Sequence, residues 1–159
     1  LMRLNFKKME VNKIRFQPQV FAAKPYEIIE RPPTVLEHKT LWEAVGWGSI
    51  NIEMIERSIA NSVYCLVAVS DGNVIGMGRI VGDGAMYYYI QDVAVLPEYQ
   101  NRGIGKQMIE KLLKFINDHC SGAAFVGLFA SQGKDKFYER FVFKNHSPGM
   151  TGMFMVMDK

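Results

Sequence analysis

Gln100, Gly103 and Gly105, spaced Gln-x-x-Gly-x-Gly, are the residues of this chain best suited to cradle a phosphate. They lie between an apolar run, Tyr87 to Val95, and a helix-period pattern of Ile104, Met108, Ile109, Leu112, Leu113 and Ile116. The run is aromatic and β-branched with few charges, so it predicts a mostly buried strand, which Pro97 ends. Glycines between the two elements let the backbone turn sharply and let a ligand approach with no Cβ in the way. The first N–H groups of the helix lack internal partners, and its dipole adds partial positive charge there. Strand, turn and helix N-terminus together predict an anion site suited to a pyrophosphate. Two better-known phosphate motifs do not fit. A P-loop would need Gly where Gln100 stands and Ser or Thr where Gln107 stands, and a dinucleotide fingerprint would need Gly at Met108.

The same stretch, following a strand that ends Val93-x-Val95-x-Pro97, resembles motif A of the GNAT superfamily of N-acetyltransferases, Q/R-x-x-G-x-G/A. About thirty residues later, Lys136-Phe-Tyr-Glu-Arg-Phe-Val-Phe143 resembles the superfamily's motif B helix. With the order of elements, the likeness covers roughly residues 26 to 157. It implies an α/β fold, a central mixed sheet with helices on both faces and a splayed central strand pair, with acetyl-coenzyme A in the wedge. The resemblance assigns the pyrophosphate to the backbone amides of Gln100, Asn101, Arg102, Gly103, Ile104, Gly105 and Lys106, with side-chain contacts from Gln100 and Arg102. Main-chain groups of Val93 and Val95 would pair with the pantetheine arm, and one would polarise the thioester carbonyl. Ser131 stands near where the superfamily often has an Asn that contacts the cofactor. The bland alternative is a tight turn that merely starts a helix.

Acetyl transfer sets its own demands. An amine with a pKa near 10 is neutral about one part in a thousand at pH 7, worth roughly 4 kcal/mol of barrier. Its proton must leave, oxyanion donors are needed, and the departing thiolate needs an acid. Tyr138 falls on the motif B position that supplies this acid in many members, with core packing against Phe137 and Phe141 as the alternative. Asp92 is the candidate base, through a water and with burial raising its pKa; equally, it could fix a neighbouring loop by hydrogen bonds. A water chain with no single essential base is a third reading. Strict alternation groups Gln91, Val93 and Val95 on one face, with Asp92 and Ala94 on the other. His38 is read as lying on an exposed helix face, His119 as complementing a helix C-terminus, and His146 as a surface residue. No cysteine lies near the motifs, so a covalent acetyl-enzyme is not expected.

For the acceptor, Trp42, Trp47, Tyr87 and Tyr89 could build an aromatic wall that holds an amine, with Arg79 and Asp83 as further pocket candidates. Core packing is the alternative for each aromatic. Met150, Met153, Met155 and Met157 read as core or a dimer edge rather than a metal site. One departure stands out. Val142 occupies the position before the last Phe of motif B where the superfamily usually has Gly, so the helix end is expected to differ.

These residues need an α/β framework, and the chain supplies one. Strands are predicted at 26–30, 64–69, 74–81, 87–95, 123–129 and 153–157. Helices are predicted from a Thr34 cap to about Val45, from an Asn51 cap to about Ala60, from Ile104, and over about 133–141. At 159 residues and 48% hydrophobic, residues 25–159 read as one domain with a proper core. Residues 1–24 read as a basic extension, packed as an edge strand over about 13–20 or else an artefact of the gene start. That leader carries +5 of a net charge of +3, leaving −2 for the body, which argues against a nucleic-acid partner. No run is long enough to span a membrane, and Cys65 and Cys120 have no metal or redox spacing, pointing to a reducing cytoplasm. The expectation is a cytoplasmic, acetyl-coenzyme A-dependent N-acetyltransferase acting on a small-molecule amine in a ternary complex, with a homodimer through an open edge. Protein lysine or N-terminal acetylation is the alternative; a non-catalytic acyl-coenzyme A-binding module is the rival of another class.

Overall fold

The computed structural model describes residues 25–157; the expected edge strand in the leader lies outside them. A short strand β1 (Glu27–Ile29) ends at Pro32-Pro33, and α1 (Val35–Ala44) follows. Its start is fixed reciprocally: the Glu37 N–H donates to Thr34 Oγ1 at 3.2 Å, and the Thr34 N–H donates to the Glu37 carboxylate at 2.7 Å. Arg31 forks onto the same carboxylate at 2.8 and 3.0 Å. Asn51 caps α2 (Ile52–Ala60) by accepting the Met54 N–H. Then come β2 (Tyr64–Ser70), β3 (Asn73–Gly82), β4 (Tyr87–Val95), α3 (Ile104–His119), β5 (Phe125–Gly127) and α4 (Asp135–Glu139).

The strands form one sheet in the order β1-β2-β3-β4-β5, antiparallel except for the parallel β4–β5 pair. Between β3 and β4 the turn depends on Gly82, at φ +143°, where a Cβ would sit 2.0 Å from the Tyr87 carbonyl oxygen. Asp83, a pocket candidate by sequence, serves this turn instead: its Oδ1 accepts the N–H groups of Ala85, Met86 and Tyr87, each at 2.9 Å.

Both faces of the sheet are covered. On one, Leu66, Ala68, Ile75, Ile80, Tyr88 and Ile90 pack against Ile104, Met108, Ile109, Leu112 and Ile116 of α3. On the other, Val67, Met77 and Ala94 pack against Leu41 of α1. Each such side chain, fully buried, contributes about 1.5–3 kcal/mol. The alternation of Leu66 and Ala68 with Val67 is what a two-faced strand requires.

The C-terminal third departs from expectation. The strand β5 and the helix α4 are shorter than predicted, and residues 153–157 form no strand. Met153, Phe154, Met155, Val156 and Met157 are each at least 76% exposed, so their alternation serves no buried face among the described residues. Val142 does take the left-handed conformation, at φ +69°, despite its branched Cβ. The helix end therefore keeps the turn that Gly would supply, at a cost in strain.

Candidate functional site

β4 and β5 pair over only three residues each, Tyr87–Tyr89 against Phe125–Gly127. Beyond that point β4 continues to Val95, while the chain after Gly127 turns away. The splay opens a cavity of about 210 Å³. Ile90, Gln91, Asp92 and Val93 line it from β4, Phe129 and Ser131 from the segment after β5, Tyr138 from α4, and Trp42 and Trp47 from α1 and its following loop.

A β-bulge sits at the middle of the β4 wall. Met77 pairs with Ala94 but Arg79 pairs with Gln91, so Asp92 and Val93 together oppose Gly78. Asp92 takes φ +53° to make the bulge. The extra residue corrects the face assignment made from alternation. Ile90, not Gln91, shares the α3-side cluster with Val93 and Val95. Past the bulge, the Leu96 N–H donates to the Ile75 carbonyl at 2.8 Å, so Leu96 faces β3 and the main-chain groups of Val93 and Val95 face the open edge. The Gln100 side-chain amide covers one of them, donating to the Val95 carbonyl at 2.9 Å.

At the end of this wall the chain reaches α3 through a single 3-10 turn, Pro97–Tyr99, and Gly103, which caps the helix at φ +82°. Among the described residues, none beyond its two chain neighbours has an atom within 4 Å of where a Gly103 Cβ would stand. The first internal bond of α3 runs from the Gln107 N–H to the Gly103 carbonyl at 3.1 Å, so the N–H groups of Ile104, Gly105 and Lys106 precede any intrahelical acceptor. Gly105 adjoins Val95 and Phe137, at the seam between β4 and α4. Among the expected cradle residues, Asn101 (φ +60°) and Lys106 are exposed, and the Ile104 side chain is buried in the core. Arg102 turns back, donating to the Glu98 carbonyl at 2.6 Å and lying over the Tyr99 ring. Its side chain and that of Gln100 thus brace the turn.

Tyr138 is half-buried, with its ring edge-on to Phe137 and Phe143. Burial pushes its phenol above the ordinary value of 10.0, so the hydroxyl holds its proton throughout the neutral range. The ring packs against the core, as the packing alternative has it, and the residue also lines the cavity.

Asp92 corrects an expectation. Burial by itself would raise its pKa, but the hydrogen bond from His38 and the charge and hydrogen bond of Arg79 outweigh it and hold the carboxylate below 3.8. Its Oδ2 accepts from Arg79 Nε at 2.6 Å and lies 3.0 Å from His38 Nε2. An ionised carboxylate only accepts, so His38 Nε2 carries the hydrogen. An anion so pinned is a poor base for an amine. Arg79, expected in the acceptor pocket, is 8% exposed and spends its remaining bonds on the Ser58 carbonyl at 3.0 Å and Ser62 Oγ at 3.1 Å.

His38 is the residue that sequence reasoning misplaced. It is 1% exposed, not on an open helix face, and stacks on Trp42. The spacing His38, Leu41, Trp42, Val45 is itself a helical stripe and was the available signal. Tyr87 also leaves the site: it is 56% exposed and sits at the paired end of β4 beside Phe125. Tyr89 packs on Phe129, one residue from the cavity wall, and Trp47 stands edge-on to Trp42 at 5.0 Å. His119 fits the reading given from sequence, with Nδ1 2.7 Å from the Phe115 carbonyl in the last turn of α3.

Comparison with known proteins agrees with this geometry. The model of the acetyltransferase (GNAT) family matches residues 24–143. A histone acetyltransferase of Glycine max, TAP1, is 32% identical over 132 residues, 76% of this chain and 56% of that protein. The chain thus spans little more than half the length of that relative. A probable acetyltransferase from meticillin-resistant Staphylococcus aureus superposes with a TM-score of 0.79 at 28% identity, covering 84% of this chain and all of the other. A GNAT family acetyltransferase from Brucella melitensis, solved in complex with acetyl-CoA, superposes at 0.58 with 26% identity, over 77% of this chain and 85% of the other.

Proposed function

Since the chain belongs to the GNAT family of acetyltransferases, we propose that it moves an acetyl group from acetyl-coenzyme A to the primary amine of a small molecule, with both bound at once. The observation that carries this reading is the wedge, a cavity with the open edge of β4 on one wall and Tyr138 on another.

The residues present fit the acyl donor. Space stands open at Gly103, the first amides of α3 have no helical acceptor, and the open edge at Val93 and Val95, where the Gln100 amide covers the Val95 carbonyl, offers main-chain partners to an extended chain. When bound, acetyl-coenzyme A supplies an acetyl group already activated as a thioester. The amides from Gly103 to Lys106 would hold its pyrophosphate, and Val93 and Val95 would orient its pantetheine arm. Tyr138 keeps a proton on its hydroxyl and can give it to a leaving thiolate of similar basicity. Trp42, Trp47 and Phe129 supply aromatic surface that attracts an ammonium group. His38 and Arg79 both hold Asp92 Oδ2 and keep the carboxylate ionised, which makes it a weak base, so the amine's proton leaves through water in the cavity rather than to that carboxylate.

A cavity of about 210 Å³ with aromatic walls supports a small amine. One finding favours a second reading, the lysine or N-terminal amine of a protein, namely the likeness to the Glycine max histone acetyltransferase. Free Cys65 and Cys120 support a reducing, cytoplasmic setting. The test is thiol release from acetyl-coenzyme A with a panel of small amines beside lysine-bearing peptides. Turnover with small amines is expected. Turnover with peptides alone would select the second reading, and none with either would remove the assignment.

A further inference from the structure

Four elements meet at Asp92. Its carboxylate holds His38 of α1 and Arg79 of β3, and the Arg79 guanidinium reaches on to the Ser58 carbonyl and Ser62 Oγ at the end of α2. Asp92 itself forms the bulge of β4, and the side chains of His38 and Asp92 are both 2% exposed. The same α1, with the loop that leads to α2, carries Trp42 and Trp47, the aromatic wall of the cavity. The same bulge turns Val93 toward the open edge. One carboxylate therefore ties the tryptophan wall to the strand it faces.

We propose that His38, Arg79 and Asp92 are positioning residues that set the tryptophan wall against the bulged strand and so fix where an acceptor amine meets the acyl group. This rests on the acetyl-transfer reading above. A proton-carrying role for His38 fits the geometry less well. His38 Nε2 is bound to Asp92, its Nδ1 has no hydrogen-bond partner among the described residues, and its side chain is 2% exposed, so nothing stands ready to pass a proton to or from the ring. A pure packing role fits less well too, because apolar side chains fill such space at no cost in desolvation.

The test compares His38→Ala with His38→Gln in the full chain, measuring kcat and KM for the best amine and the Kd of acetyl-coenzyme A. His38→Ala is expected to lower kcat/KM for the amine at least about tenfold, the scale of a sub-ångström to 1 Å misplacement. Acetyl-coenzyme A affinity should stay within about twofold, because none of the hydrogen bonds of His38, Arg79 and Asp92 reaches the amides at the start of α3. His38→Gln should recover most of the loss, since its amide can donate to Asp92 but cannot carry a proton. Ile116→Ala, in the core at the far end of α3, serves as a control for destabilisation alone and should keep wild-type kcat/KM. If His38→Ala does not fold, Arg79→Lys carries the same comparison: it keeps the charge but loses the fork that reaches Ser58 and Ser62. Unchanged kcat/KM in the broken variant, a loss matched by Ile116→Ala, or no rescue by Gln would each overturn the proposal. A wild-type chain that acetylates no amine would remove the functional reading, and this one with it, before any substitution is compared.

Discussion

The two walls of the wedge are built from different parts of the peptide. The wall from Val93 through Lys106 offers main-chain groups, namely a strand edge and the first amides of α3. The wall facing it, from α1 and the loop after it, offers side chains, Trp42 and Trp47, held by the His38–Asp92–Arg79 contacts. A main-chain wall constrains sequence through backbone conformation, so a single glycine is decisive. A side-chain wall constrains it through shape and charge, so its sensitivity is spread over several residues. Substitutions can break this contrast or sharpen it.

The largest effect is expected at Gly103. Glu there would place bulk and negative charge where an anion should bind, and would have to adopt φ +82°. Among the described residues beyond its chain neighbours no atom lies close enough to clash with a Cβ, so the fold should survive with a loss of roughly 1 kcal/mol for the backbone strain. Wild-type protein with acetyl-coenzyme A at a hundred times Kd should gain about 2.7 kcal/mol of stability. In Gly103→Glu that thermal shift should vanish. A shift of normal size would mean that main-chain groups do not make this wall.

Next in size is Asp92→Ala, which strands Arg79 in a site where its side chain is 10% exposed. Denaturant unfolding should show a loss of about 3–5 kcal/mol. The pH dependence carries the same information with a definite sign. Asp92 titrates lower folded than unfolded, so its stabilisation is complete above its ordinary value of 3.8 and is lost as pH falls through the folded value. The variant should lack that acid-side component. Identical acid limbs in the two proteins would show that the contacts at Asp92 contribute nothing in solution.

Tyr138→Phe should act on rate alone. The ring contacts with Phe137 and Phe143, at 5.0 and 6.2 Å, do not need the hydroxyl. Turnover is expected to fall about a hundredfold, with acetyl-coenzyme A affinity and melting temperature near wild type. Parallel losses of rate and stability would return Tyr138 to a packing role.

How far each wall could be read from sequence follows from the same contrast. Gly103 stands out because few residues tolerate the backbone it occupies, at φ +82°, and the capping boundaries at Thr34 and Asn51 are local chemistry of the same sort. His38, Arg79 and Asp92 did not stand out as a group, because they come from α1, β3 and β4 and meet only when the sheet is assembled. The bulge was invisible for a related reason. One extra residue opposite Gly78 reverses the parity of β4, and nothing in Gln91-Asp92-Val93 announces it. At 153–157 the alternation has no second layer to bury against among the described residues, so the period-2 pattern predicts a strand that does not form.

Val142 is where the contrast is least tidy, and where the smallest effect is expected. It closes the helix that carries Tyr138 with a backbone conformation suited to Gly, yet its side chain is 79% exposed and so gains little from burial. A β-branched residue at φ +69° costs of order 1–3 kcal/mol. Gly relieves that strain but adds freedom to the unfolded chain, worth about 0.4–1 kcal/mol in the other direction. Val142→Gly should therefore stabilise the protein by about 1 kcal/mol in denaturant unfolding, leaving kcat unchanged if the turn already holds Tyr138 where it is needed. A stabilised variant with altered kcat would mean that the strained turn also tunes the position of Tyr138, and a main-chain feature would then be acting on the chemistry from the side-chain end of the wedge.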